Sequence, residues 1–386
     1  MPETSEWKKL ILNLSDAEIR DLLNCKVGGE LLRKYRTKSC EAVRWYDKPL
    51  RGLSPDGVRL MRELEEDSRK FNSHVDKRQL RYLQTLYGMK LEVPEFYREP
   101  IDPKAMYNHL CDFCRENDIP EEIVCQLVPI LTSYIRTGRM KGVLFWGDKG
   151  CGKSTALRML SETLKLPVQV ISAPQTDRSH GLTGTSGSYQ SADCGQLAKG
   201  RLKAKQLLLA YIIEEIDKVP HNPSGSSIDD ELLSVMDDTE TPVVDEYLGT
   251  EVVGLQHCPI FLTCNVLERV NPIFTDRLTV IHFPNPDKAR LCSVMRKYAE
   301  EKLRSEPEIY SLIRFRYDVM ERAVRELADR NITSLRRHQQ MVDSVLRDAF
   351  TRALESSSDT PVETTGEMFE AAVQRILGSA AKIIGF

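Results

Sequence analysis

The chain has 386 residues, of which 41% are hydrophobic and 29% charged, with a formal net charge of -3. That length and apolar content support two or three domains with cores of their own, and the near balance of charge argues for neither a nucleic-acid nor a membrane partner. Ten cysteines follow no disulfide-like rhythm and read as reduced thiols, which excludes a secreted disulfide scaffold.

From the N-terminus, Met1-Pro-Glu-Thr-Ser-Glu6 is acidic and polar rather than basic then apolar, so no signal peptide is read there. Residues 1–92 carry leucines at helical spacing, with a capping box at Ser15-Asp-Ala-Glu18 and a cap followed by a first-turn proline at Ser54-Pro55. Val93–Pro103 contains three prolines and reads as a linker. Helical patterns resume over about 104–138. The close pair Cys111 and Cys114 has only His109 nearby, whereas a zinc site needs four ligands, so both read as buried helix cysteines.

The pattern then changes. Short β-rich runs at Gly142–Trp146, Val168–Ser172, Leu207–Glu214, Pro259–Thr263 and Val280–Phe283 alternate with longer polar or helical stretches. Such alternation predicts a parallel sheet covered on both faces. The longest apolar run, Leu207–Ile213, falls far short of the roughly 20 residues a membrane helix needs. After Pro286 the chain reads as helical almost to Phe386, with a surface loop at Ser356–Thr365. A soluble, cytoplasmic protein without a membrane partner is expected.

Gly147-Asp148-Lys149-Gly150-Cys151-Gly152-Lys153-Ser154 fits G-x-x-x-x-G-K-[ST] at every fixed position, between an apolar strand and a helical pattern that continues through Thr155. Glycines let backbone N–H groups converge on phosphate oxygens, and the following helix N-terminus favours negative charge. Lys153 is expected to reach the outer phosphates of ATP, and the Ser154 hydroxyl to ligate Mg2+. The next apolar strand ends in Glu214-Glu215. Phosphoryl transfer to water needs one carboxylate beside the metal and a second to polarise the attacking water. Neighbouring strand residues face opposite ways, so Glu214 and Glu215 can divide those roles. A third apolar strand ends in Asn265, a polar amide able to orient water and read a terminal phosphate. Arg277, before the last strand, can supply positive charge to a neighbouring copy's phosphoryl group, and Arg336 opens a long helix.

In this order the motifs form a family signature. From about residue 125 to 386 the chain resembles the AAA+ ATPase module of the Lon proteases. The resemblance is carried by the phosphate loop, Glu215-Ile-Asp-Lys218, Asp230–Asp237, Asp245-Glu-Tyr247-Leu, Thr263-Cys-Asn265, Ile273-Phe-Thr-Asp-Arg277 with Val280-Ile281, and Leu335-Arg336. It implies an α/β fold: a P-loop AAA+ domain with a five-stranded parallel sheet, a C-terminal helical lid and a mainly helical N-terminal domain. The expected boundaries are 1–103, 104–286 and 287–386. It further implies a homo-oligomeric ring, expected to be a hexamer, with Glu215 as catalytic base, Asn265 as first sensor, Arg277 as trans-acting finger and Arg336 as second sensor. In Lon-type ATPases a Gly-x4-Tyr stretch followed by Gly-x-Leu carries a pore loop. Gly184–Tyr189 and Gly195–Leu197 match it, making Tyr189 the expected polypeptide-gripping residue. Two departures stand out. Glu214 replaces the usual metal-side Asp, and no peptidase dyad is assignable, so no intrinsic peptidase is expected. The leading reading is a protein-remodelling motor that feeds a separate effector. The Glu-Glu pair, the strand ending in Asn265 and Phe283-Pro-Asn-Pro also resemble superfamily 3 viral helicases, which keeps a nucleic-acid motor open. A regulatory ATPase whose assembly signals to a partner is the third reading.

Overall fold

A computed structural model of the chain describes residues 44–47, 50–70, 76–98, 103–176, 181–186, 192–219, 228–236, 242–356 and 360–384. Contacts divide the chain into two compact units, Met1–Lys48 and Pro49–Phe386. In the first, the described residues form a short 3-10 turn, Trp45–Asp47, where Asp47 accepts the Arg44 N–H at 3.1 Å. The expected capping box at residues 15–18 lies outside the described residues.

The second unit is built on five parallel strands: β1 (Val143–Trp146), β2 (Val168–Ser172), β3 (Ala210–Glu214), β4 (Ile260–Cys264) and β5 (Thr279–His282), in the order β2-β3-β4-β1-β5. Strands buried on both faces need apolar residues at successive positions rather than alternate ones. This explains why Val143-Leu-Phe145 and Ile260–Cys264 are buried throughout. The third strand begins later than its apolar run. Leu207–Leu209 are buried but precede the ladder, because pairing with β2 starts at Ala210. Leu207 instead joins a separate core beneath the N-terminal helices.

Those helices are α1 (Pro55–Arg69) and α2 (Lys77–Tyr87). Ser54 accepts the Gly57 N–H and Pro55 occupies the first turn, so the expected cap forms. Asp76 caps α2. Their apolar faces pack with Cys194, Ala198, Leu207, Tyr247 and Leu248. Next come α3 (Pro103–Glu116) and α4 (Glu121–Thr137). The proline-rich segment before them is anchored by Tyr97, which is buried and donates to the Leu164 carbonyl at 3.2 Å. Cys111 and Cys114 are both buried on α3.

Three helices accompany the sheet: α5 (Lys153–Thr163), α6 (Gln196–Ala204) and α7 (Ile228–Val235). Beyond β5, four long helices share one apolar core: α8 (Lys288–Ser305), α9 (Tyr317–Asp329), α10 (Leu335–Glu355) and α11 (Gly366–Ile384). Burying side chains such as Leu327 and Val345 contributes about 1.5–3 kcal/mol each. The surface loop expected near residues 356–365 contains a two-residue strand, Val362–Glu363, paired in parallel with Ile313–Arg314. Among the described residues no helix is long and apolar enough to cross a membrane.

Candidate nucleotide site

All five strands run the same way, so β1, β3 and β4 end at one edge of the sheet, with β3 and β1 flanking β4. In open α/β sheets that edge is where ligands bind. The chain leaves β1 into Gly147–Gly152, whose glycines at 147, 150 and 152 have φ values of 155°, 84° and 109°. Close packing reinforces the need for glycine: a Cβ on Gly150 would stand 2.3 Å from the Ser334 Oγ. Gly152 then caps α5 without any side-chain hydrogen bond. The first-turn N–H groups therefore remain for an anion, as a phosphate loop requires.

Lys153 opens α5 and is 6% exposed. Its Nζ donates to the Gly147 carbonyl at 2.7 Å, the Asp148 carbonyl at 2.9 Å and the Asn265 Oδ1 at 3.2 Å. These three neutral oxygens stand in for phosphate oxygens: the ammonium is satisfied, and a polyanion entering the loop would compete for it with stronger, charge-assisted bonds. Asn265 lies just beyond β4, one strand from the loop. Asp148 is fixed from outside by the Asn285 Nδ2 at 2.5 Å. Ser154 and Thr155 follow on the first turn of α5, half-buried and exposed respectively; Lys149 is exposed. Cys151 is buried, and burial raises its thiol pKa. The Cys264 thiol, at the end of β4, is pushed up to about 12 by the same cause. Neither is a thiolate near neutral pH, so these cysteines pack rather than react.

Glu214 ends β3 and faces α5, where Arg158 approaches its carboxylate at 3.8 Å. Glu215 follows in a left-handed backbone conformation, φ 62°. Its N–H donates to the Thr263 Oγ at 3.1 Å, and its carboxylate accepts from the Lys218 Nζ at 2.5 Å. Asp217, buried, accepts the Val266 N–H at 3.3 Å, joining the ends of β3 and β4 a second time. Glu215 and Asn265 are thus set by cross-links between adjacent strand ends.

Arg277 lies elsewhere. It precedes β5, at the edge of the sheet where the strands begin, and its Nη1 donates to the Leu233 carbonyl in the last turn of α7 at 3.2 Å. It does not join the cluster at the loop. Arg336 is exposed on the first turn of α10. The residue before it, Leu335, donates its N–H to the Gly150 carbonyl at 2.9 Å, so the start of α10 rests on the phosphate loop. Tyr189 lies outside the described residues. The base of its loop is described: the Thr185 N–H donates to the Asp193 carbonyl, and Asp245 accepts the N–H groups of Gly195, Tyr247 and Leu248. Asp245 is fully buried, and burial pushes its carboxyl up to about 6.

Sequence reasoning passed over Thr263 as a support for Glu215, Lys218 as its ion-pair partner, and Arg290. Thr263 and Lys218 fall inside runs already singled out, so the signal was present without its meaning. Arg290 carried none.

Residues 143–285 match the family model described as ATPase family associated with various cellular activities (AAA). Curated relatives include the Lon proteases of Syntrophus aciditrophicus (26% identical over 155 residues, 40% of this chain and 19% of that protein), Campylobacter jejuni (22% over 248 residues, 61% and 31%) and Dictyoglomus thermophilum (29% over 148 residues, 38% and 18%). The chain spans less than a third of the length of these relatives. The chain thus matches the AAA model over residues 143–285 and is similar, over part of its length, to the Lon proteases.

Proposed function

We propose that this AAA-family chain is a ring-forming ATPase that couples hydrolysis at Gly147–Ser154 to the remodelling of polypeptide substrates, handing them to a separate effector. In this reading residues 104–286 form the ATPase core, 287–386 the lid, and 1–103 a helical N-terminal region and its linker. The supporting observation is the convergence of Lys153 on Asn265, with Glu215 held at the neighbouring strand end, at the mouth of an uncapped helix.

The Gly147–Gly152 amides and Lys153 bind the β- and γ-phosphates. Ser154 and Glu214 would hold Mg2+, since both offer the hard oxygen donors that suit it. When bound, the metal supplies charge neutralisation across the β- and γ-phosphates. Glu215 takes the proton of the attacking water, which requires its carboxylate to leave Lys218. Asn265 holds that water in line and senses the terminal phosphate. Arg277, at the far edge of the sheet, is suited to a neighbouring subunit's nucleotide rather than its own. Arg336 answers from the start of α10, and Tyr189 grips substrate in the pore.

Two substitutions test the assignment. Lys153→Ala is expected to abolish ATP binding. Glu215→Gln is expected to retain binding while turnover falls at least about 100-fold, the usual scale for losing a general base. Isothermal titration and steady-state phosphate release measure both. Wild-type turnover in either variant contradicts the site.

A further inference from the structure

Arg290 stands on the first turn of α8, far in sequence from the phosphate loop and touching it in space. Its guanidinium lies 5.3 Å from the Phe283 ring centroid. Its Nε donates to the Asp118 carbonyl at 2.6 Å. Its Nη2 is 3.6 Å from the point a Cβ on Gly152 would occupy. Its Nη1 is buried and has no hydrogen-bond partner among the described residues. Burial pushes its pKa down, and no carboxylate among those residues pairs with it at ion-pair distance. Asp118, the nearest acid, is committed elsewhere: its carboxylate accepts from Ser293 at 2.8 Å and from Lys297 at 2.6 Å. Arginine is always charged and carries five donors, so a buried N–H left unpaired is costly unless another acceptor arrives.

The sheet order tells which end of a nucleotide would bring that acceptor. Strands β4 and β5 flank β1 on opposite sides. Lys153 leans toward Asn265 at the end of β4, so the terminal phosphates belong on that side. Arg290 and Phe283 stand at the end of β5, on the other. A nucleotide whose phosphates point toward β4 extends its nucleoside half toward β5. A single buried donor beside an aromatic ring suits a ring nitrogen or a ribose hydroxyl.

We propose that Arg290 is a specificity-determining residue that donates through Nη1 to the nucleoside half of the bound nucleotide. This rests on the reading that Gly147–Ser154 holds ATP. It also gives α8 a direct contact with the nucleotide, whereas α10 meets the phosphate loop through the Leu335 N–H. The test compares binding of ATP and of inorganic tripolyphosphate, each with magnesium, by isothermal titration. Arg290→Met keeps the apolar stem on Phe283 and removes every donor. It is expected to weaken ATP binding at least tenfold and to leave tripolyphosphate binding within twofold of wild type. Arg290→Lys, which keeps the charge but not the planar fork, is expected to show the same split and guards against a folding defect in the first variant. Equal weakening of both ligands assigns Arg290 to the phosphates and overturns the inference, as does unchanged binding of ATP. Lys153→Ala serves as the control for the underlying reading. It should lose both ligands, and its retention of both would defeat the site itself rather than the role of Arg290.

Discussion

Glu215 occupies a backbone conformation, φ 62°, that non-glycine residues seldom adopt. Such positions cost of order 1–3 kcal/mol and persist only where the surroundings hold them. Here the holding group is the Thr263 hydroxyl, 2% exposed, which accepts the Glu215 N–H. Thr263 is therefore a positioning residue for the proposed base. Thr263→Val is expected to lower kcat about tenfold with KM changed less than twofold, about 1.4 kcal/mol in the barrier, and Thr263→Ser to restore most of it. A matched rise in KM would assign Thr263 a merely structural role. At this scale the sequence was legible wherever a function is written in consecutive residues. The loop glycines, Lys153 and Glu215 follow a local pattern of strand, turn and helix. Support for them was not legible: Thr263 lies 48 residues from Glu215, and Arg290 lies 172 from Asp118. Only the fold brings each pair together.

The elements were read more completely than their connections. Each of the five β-rich runs overlaps a strand of the parallel sheet, because fully buried strands must be continuously apolar. The same continuity hid where β3 begins, since Leu207–Leu209 are buried ahead of the ladder and Leu207 is apolar for a different core. No periodicity could have shown that α10 starts on the phosphate loop. That helix also carries His338, fully buried, with its Nδ1 2.9 Å from the Ser334 carbonyl and its Nε2 without a hydrogen-bond partner among the described residues. Burial lowers its pKa from 6.5. The unfolded chain thus takes up near pH 6.5 a proton that the folded chain takes up only at lower pH. Stability is present above that pH and is lost as pH falls below it, by up to about 1.4 kcal/mol per pH unit. The melting temperature is expected to drop between pH 7.5 and 5.5, and by less in His338→Met. Asp245, whose carboxyl is raised to about 6, works in the opposite direction toward lower pH and is common to both proteins. Equal drops in the two proteins would exclude His338 as the source.

For the whole molecule, the decisive arrangement is the separation of Arg277 from the phosphate loop of its own chain. Lys153, Glu215 and Asn265 gather where the strands end, while Arg277 sits where they begin, against the last turn of α7. In the proposed ring, one chain would hold two halves of different catalytic sites, and activity would require assembly. An arginine supplied in trans is worth about 1000-fold or more in phosphoryl transfer. Arg277→Ala is accordingly expected to bind ATP normally and hydrolyse it hardly at all. Mixing inactive subunits tests this most directly. Lys153→Ala subunits lack a nucleotide site but retain Arg277; Arg277→Ala subunits have the reverse defect. Phosphate release from the mixture is predicted to recover well above the sum of the two separate proteins, because the intact loop of one meets the intact arginine of the other. A mixture no more active than its parts, under conditions where the wild-type protein turns over, would contradict a site completed between neighbouring copies.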